Sequence, residues 1–298
     1  MKRWRLAWWG LAGLMLMVAC NLPLRPAPQM SDPTLTALFM EVPTLIPTLS
    51  GGTLPPPALT AWPATATPGP TPTLPPPPGP LREGPTVRAL PFAAPPTLDA
   101  TFDDWPTQPW YSADRVIYGA DQWRGPQDLS ATFAVGWDER ALYLAVRVTD
   151  DVYAQSAAGF NLFRGDALEM VLDTDLFGDF QDARMSGDDM HLGFSPGFEQ
   201  PGQRTEAYLW FPESLRGPRT TLVDIAARAS VNGYDVEIRV PWDVLLTVPQ
   251  AGRYYGFALR VSDNDDIGNA VQQSMVSNVP LPHVYNNPTT WGNLILVP

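Results

Sequence analysis

From Thr97 to the C-terminus the apolar residues recur at every second position, not every third or fourth, and that period restricts the chain to half-buried strands. In Ala141 to Asp150, Leu142, Leu144, Val146 and Val148 share one face while Tyr143, Arg147 and Thr149 share the other. Tyr234, Val236, Ile238 and Val240 point one way, with Asp235, Glu237 and Arg239 expected outward, and Tyr255, Phe257, Leu259 and Val261 repeat the pattern. Further strands are expected at Ala131 to Trp137, Asp166 to Asp173, His191 to Phe194, Ala207 to Phe211, Asp224 to Val231 and Gly292 to Val297. Only a short piece after Pro241-Trp242-Asp243 has helical spacing. The expected fold is therefore all-β, an antiparallel sandwich of two sheets that bury their apolar faces against each other.

Composition divides the chain ahead of this domain. Of 35 prolines, 22 fall between Asn21 and Pro96, in runs such as Pro55-Pro56-Pro57 and Pro75-Pro76-Pro77-Pro78. Proline lacks the amide donor, so such a stretch builds no ladder and no packed core. Extended as polyproline II at about 3.1 Å per residue, it would reach on the order of 200 Å. Before it, Lys2, Arg3 and Arg5 precede the apolar run Leu6 to Val18, which is too short for a convincing membrane span. Leu16-Met17-Val18-Ala19-Cys20 is similar to a bacterial lipobox, although Met17 stands where a leucine is usual. A plain secretory signal or an uncleaved anchor are the alternatives. The expected organisation is a lipoprotein signal peptide at 1–19, a disordered Pro/Thr-rich tether at 20–96 beginning at a lipidated Cys20, and the sandwich at 97–298. The protein would then be anchored to the cell membrane, outside the cytoplasm.

Cys20 is the one cysteine, so the domain has no internal disulfide. Lys2 is the only lysine and the formal net charge is −12, without any basic groove studded with aromatics. Nucleic acid is thereby disfavoured as a partner, and cations or neutral ligands are favoured.

Seven segments, in order, resemble one family. Leu98-Asp99-Ala100-Thr101-Phe102-Asp103-Asp104-Trp105 is similar to its opening, and Val135-Gly136-Trp137-Asp138-Glu139-Arg140-Ala141-Leu142-Tyr143-Leu144 to a strand pair. Val148-Thr149-Asp150-Asp151 follows, then Gly165-Asp166-Ala167-Leu168-Glu169-Met170-Val171-Leu172-Asp173. Glu237-Ile238-Arg239-Val240-Pro241-Trp242, Gly256-Phe257-Ala258-Leu259-Arg260-Val261-Ser262-Asp263 and Trp291-Gly292-Asn293-Leu294 close the series. The family is the family 9 carbohydrate-binding modules, among the DOMON-like sandwiches. The resemblance implies a non-catalytic module, often joined to xylanases, that holds terminal sugars of plant polysaccharides between two aromatic side chains. By position it implies Phe163, where the family has tryptophan, and Tyr285 as the two platforms, and Glu169 as a sugar-binding carboxylate. A flat ring can cover the apolar C–H face of a pyranose, and Asn286 and Asn287 beside Tyr285 could supply amide hydrogen bonds. The family's sugar-contacting basic residue is replaced near Leu192-Gly193 by groups with no side-chain donor. Trp105, Trp137, Trp242 and Trp291 belong to the framework.

An acidic loop carries a candidate cation site of Asp173, Asp175, Asp179, Asp182, Asp188 and Asp189, with Gly178 as a turn. Calcium takes six to eight oxygens, although Phe177 and Arg184 break the EF-hand pattern. The resemblance also implies structural calcium, the only cofactor expected. Asp263-Asn264-Asp265-Asp266 is a weaker candidate, and Asp99 to Asp104 and Asp150-Asp151 either bind metal or cap turns.

Catalysis has little support: His191 and His283 are the only histidines, no serine elbow exists, and no pair of carboxylates is marked as acid and base. The reading is of a non-enzyme that captures plant-type or cell-wall poly- or oligosaccharide at a surface, for secreted glycoside hydrolases or sugar transporters. Two alternatives stand. One is a haem-binding, electron-transferring DOMON-type domain using Met170 or Met275 with His191 or His283, since the adjacent Met190 and His191 point to opposite faces. The other is a lipid-anchored scaffold without a sugar site.

Overall fold

The structure, a computed structural model, describes residues 74, 76–106, 109–280 and 286–298. Cys20, the leader and most of the proline-rich stretch lie outside the described residues, as do His283 and Tyr285. Fourteen strands run in chain order: β1 (Thr86–Pro91), β2 (Tyr111–Ala113), β3 (Arg115–Tyr118), β4 (Leu129–Trp137), β5 (Ala141–Asp150), β6 (Ala167–Asp173) and β7 (Asp189–Ser195). β8 (Glu206–Phe211), β9 (Gly217–Pro218), β10 (Asp224–Ser230), β11 (Gly233–Pro241), β12 (Tyr254–Asp263), β13 (Ser274–Ser277) and β14 (Gly292–Leu296) complete the set.

These strands form one hydrogen-bonded ribbon in the order β10-β11-β5-β4-β1-β14-β12-β6-β7-β8-β9. β13 and β2 pair alongside β12 and β4, and β3 pairs with β13. In a flat sheet β4 and β12 would stand about 14 Å apart, three spacings of about 4.8 Å. Instead Phe133 of β4 and Phe257 of β12 approach with ring centroids 6.2 Å apart. The ribbon is therefore curled into two facing layers. The inward residues named from the alternation, Leu142, Leu144, Val146 and Val148 with Val236, Ile238, Tyr255, Phe257, Leu259 and Val261, all enter the common core.

The sandwich starts earlier than residue 97. Thr86–Pro91, which its prolines placed in the tether, is the strand that joins the two halves, parallel to both β14 and β4. Val87 and Ala89 point into the core while Pro85 and Pro91 sit only at its ends, where a missing amide donor is tolerated. The piece after Pro241-Trp242-Asp243 is a hydrogen-bonded turn and not a helix, closed by Val244 N–H donating to the Pro241 carbonyl.

The outer face of β4, β5 and β11 is covered as well. Residues 92–105 fold back over β4, β5 and β11, so that Trp105 and Phe92 pack on Tyr143, Ala134 and Ala145. Glu237, expected outward in solvent, is fully buried there. It accepts from the Asp99 and Ala100 amides at 2.9 and 2.7 Å and from Trp105 Nε1 at 2.6 Å.

Candidate functional site

One strand face organises the site. Along β6, Ala167, Glu169, Val171 and Asp173 point away from the core, and at about 3.3 Å per residue they span roughly 20 Å. Its first end is aromatic, its middle polar, its last end acidic.

At the aromatic end, Phe163 belongs to a 3-10 turn, Gly159–Arg164, that packs on Ala167, Leu162 and Trp210. Phe163 is half-buried and meets Trp210 edge-on at 6.2 Å. Trp210 Nε1 donates to the Phe160 carbonyl at 2.9 Å, which ties β8 to that turn. Tyr208 lies 6.0 Å from Trp210, and Phe160, 51% exposed, extends the aromatic surface outward at 6.4 Å from Tyr208.

In the middle, Glu169 is paired across the ladder with Gly193 of β7 and Arg260 of β12. Its Oε2 lies 2.8 Å from His191 Nε2 and 3.6 Å from Arg260 Nη1. Burial holds His191 below its ordinary range, against the pull of Glu169, so near neutral pH the ring is neutral and Nε2–H donates to the carboxylate. The imidazole also meets Trp210 at 4.7 Å, so Phe163, Trp210, His191, Glu169 and Arg260 form one contiguous series. Sequence reasoning named Phe163 and Glu169 and missed Trp210, His191 and Arg260 as neighbours. The strand alternation already put Arg260 opposite the core-facing Leu259 and Val261, and that was the available signal. Met170 and Met190 lie in the core while His191 faces outward, which removes those two methionines as axial partners of His191.

Asn286 is exposed. Asn287 caps the last 3-10 turn, its Oδ1 accepting from Thr289 N–H at 3.2 Å and Thr289 Oγ1 at 2.7 Å. Its carbonyl oxygen is thus committed locally, leaving the amide NH2 for any ligand.

At the acidic end, ligand atoms of Asp173, Asp179 and Asp188 lie within 4.8 Å of one another. Both oxygens of Asp179, Oδ2 of Asp188 and Oδ1 of Asp189 are buried without a hydrogen-bond partner. Burial, reinforced by the neighbouring carboxylates, pushes Asp179 up to about 6 and Asp189 up to about 7. Asp175 and Asp182, expected as ligands, are not brought into the cluster. Asp175 lies over Gly178 in its own turn, and Asp182 accepts from the Arg184 amide at 2.9 Å. Short loops spend such carboxylates on Asx-type turns.

The strand ends also unite two runs that the sequence kept apart. Asp150, Asp263 and Asp265 place carboxylate oxygens within 4.8 Å of one another, and Asp128 and Asp151 do so with Asp265. Asp150 Oδ2, Asp263 Oδ1 and Asp265 Oδ1 are buried without partners, and burial raises Asp150 to about 7 and Asp263 to about 6. Orphaned buried oxygens beside one another are what a hard, oxygen-seeking cation such as calcium would satisfy, so both donor sets fit one.

The class is a curled β-sandwich with an aromatic and polar outer face. A family model described as "Carbohydrate family 9 binding domain-like" matches residues 98–298, and the chain belongs to that family. Among solved structures it is similar to a family 9 carbohydrate-binding module from Caldicellulosiruptor kristjanssonii in complex with cellotriose (20% identity, TM-score 0.53, covering 71% of this chain and 93% of that one). A second structure of a family 9 module from that organism, in complex with glucose, matches at 21% identity and a TM-score of 0.52, over 70% of this chain and 95% of that one. A candidate carbohydrate-binding protein from Bacteroides uniformis matches at 14% identity and a TM-score of 0.52, over 72% of this chain and the whole of that one. At such identities these likenesses speak for the fold. No curated protein matches the chain.

Proposed function

We propose that the domain is a non-catalytic sugar-binding module, presented outside the cytoplasm on a proline-rich arm anchored through a lipidated Cys20. The observation that carries this reading is the contiguous series of Phe163, Trp210, His191, Glu169 and Arg260 across the outer face of neighbouring strands, which sets a half-buried ring beside oriented polar groups. The ring covers the C–H face of a pyranose, and the polar groups discriminate its hydroxyls. Binding is passive capture of a poly- or oligosaccharide, with Tyr285, Asn286 and Asn287 as the further contacts of this reading. Membership of the family and the cellotriose and glucose complexes of its structural neighbours support the choice of ligand class.

Calcium belongs to the same proposal. Asp173, Asp179, Asp188 and Asp189 would hold one ion, and Asp150, Asp263 and Asp265 with Asp128 and Asp151 another. A bound ion supplies positive charge that holds loop carboxylates together, and these side chains position the loops around it.

Calorimetric titration of the protein with glucose, xylose, cellobiose and xylo-oligosaccharides, with calcium and with chelator, tests the reading. Saturable binding that Phe163→Ala weakens is expected. A folded, calcium-loaded protein that binds none of these sugars would overturn it and leave a scaffold role.

A further inference from the structure

The segment just before β1 ends in a buried guanidinium pressed into the acidic end of the site. Arg82 Nη2 lies 2.5 Å from Asp173 Oδ2, with the two side chains 1% and 0% exposed. The backbone is pinned at the same point: Arg82 N–H donates to Asn293 Oδ1 at 3.0 Å, and Asn293 Nδ2 donates back to the Arg82 carbonyl at 3.0 Å. Gly256 makes room for it, since a β-carbon there would overlap Arg82 Nη1. The guanidinium also lies 5.9 Å from the ring of Trp291. Among the described residues, Nη2 alone of the guanidinium nitrogens is held, by Asp173, and the group as a whole is enclosed beside Gly256 and Trp291.

From this arrangement we infer that Arg82 opposes cation binding at the Asp173–Asp179–Asp188 cluster, so that docking of the arm's root and loading of the acidic site are negatively coupled. The inference rests on the calcium reading above and adds its regulation. Asp173 is both a partner of Arg82 and a member of the cluster, and the field of Arg82 reaches Asp179 as well. An arginine cannot shed its proton to accommodate a second cation. An incoming divalent ion that takes Asp173 as a ligand either shares it through Oδ1, which accepts from the Asp175 amide at 2.9 Å, or takes Oδ2 from the guanidinium. Both routes set like charges close together in a poorly screened place. Coupling is reciprocal, so whatever Arg82 takes from calcium affinity, calcium takes from the grip on the arm. A rise in calcium would loosen the residues around Arg82 and lengthen the free arm.

The test is calcium titration of the full chain in detergent, with Asp179→Asn identifying the binding event at this cluster, beside Arg82→Met and Asn293→Ala. Arg82→Met is expected to tighten that event by about tenfold or more, within the usual range of coupling factors. Asn293→Ala, which weakens the backbone staple without changing charge, should shift it in the same direction but by less, about twofold. An ion that binds only once Arg82 is replaced would support the inference in its strongest form. Equal affinity of wild type and Arg82→Met overturns the coupling and leaves the calcium reading standing. No calcium at the cluster in either protein overturns both, while sugar titration judges the binding function separately. Should Arg82→Met fail to fold, hydrogen exchange on the wild type decides: calcium should speed exchange around Arg82 to Thr86 severalfold, along with tryptic cleavage after Arg82. Unchanged or slower exchange with the cluster loaded overturns the inference.

Discussion

The indole of Trp210 lies where a side chain at position 193 would have to go. A β-carbon on Gly193 would overlap the far edge of the ring, and that ring in turn packs on His191 and Phe163. The gap that the sequence shows at Leu192-Gly193, where the family carries a basic sugar contact, is therefore filled, with aromatic surface in place of a hydrogen-bond donor. Gly193→Ala should push Trp210 out of this seat. The expected cost is about 1–3 kcal/mol, read in a denaturant melt, with a shift in tryptophan emission as the indole gains solvent.

Phe163 is half-buried, meets Trp210 edge-on and has the Arg164 guanidinium 5.9 Å from its ring centroid. Phe163→Ala should lower sugar affinity roughly five- to tenfold, as expected for about 1 kcal/mol of ring contact beyond simple area. The stability loss should stay near 1–2 kcal/mol, less than for a fully buried ring. Calorimetric titration and a thermal melt on the same sample separate the two effects. A large loss of stability with unchanged affinity would make Phe163 a loop anchor and no platform.

Glu237 holds residues 97–105 onto the sheet through three donors, the buried Ala100 amide and Trp105 Nε1 and the part-buried Asp99 amide. Burial raises its pKa above the ordinary glutamate value while those donors, led by Trp105, pull it back down, so the carboxylate is stabilised mainly by hydrogen bonds. Glu237→Ala leaves three donors unpaired, two of them in the interior, and should cost about 3–5 kcal/mol. Glu237→Gln, which keeps one acceptor oxygen, should cost less. Urea unfolding of both variants checks the order.

The same residue marks where the sequence stops being legible. Period-two alternation located β4 to β8, β10 to β12 and β14 to within about two residues at each end, because each has enough apolar positions on one face to be read locally. It assigned Glu237 and Tyr143 to an outer face correctly but could not show that residues 92–105 would cover that face. Thr86–Pro91 carries only Val87, Ala89 and Leu90 between two prolines, and its identity as a strand comes from two parallel partners more than forty residues away. In the site, Phe163 and Glu169 were readable by position. The union of Asp150 with Asp263 was not, since strand pairing and not spacing brings those carboxylates together.

Five carboxylates lie far above their ordinary value near 3.8, each chiefly through burial: Asp150 and Asp189 at about 7, Asp179 and Asp263 at about 6, and Asp166 likewise well raised. A folded-state value above the unfolded one means that the native protein binds more protons between pH 4 and 7, so stability falls as pH rises across that interval. Without divalent cations the domain should therefore melt at a higher temperature near pH 5 than near pH 7.5. Calcium replaces the missing protons with its own charge and should raise the melting temperature most at the higher pH, flattening or reversing the slope and releasing protons as it binds. Melting curves at pH 5, 6, 7 and 7.5, in chelator and in millimolar calcium, measure both slopes on one protein. A calcium-independent slope would mean that these carboxylates are simply protonated in the native state and that neither cluster is a cation site.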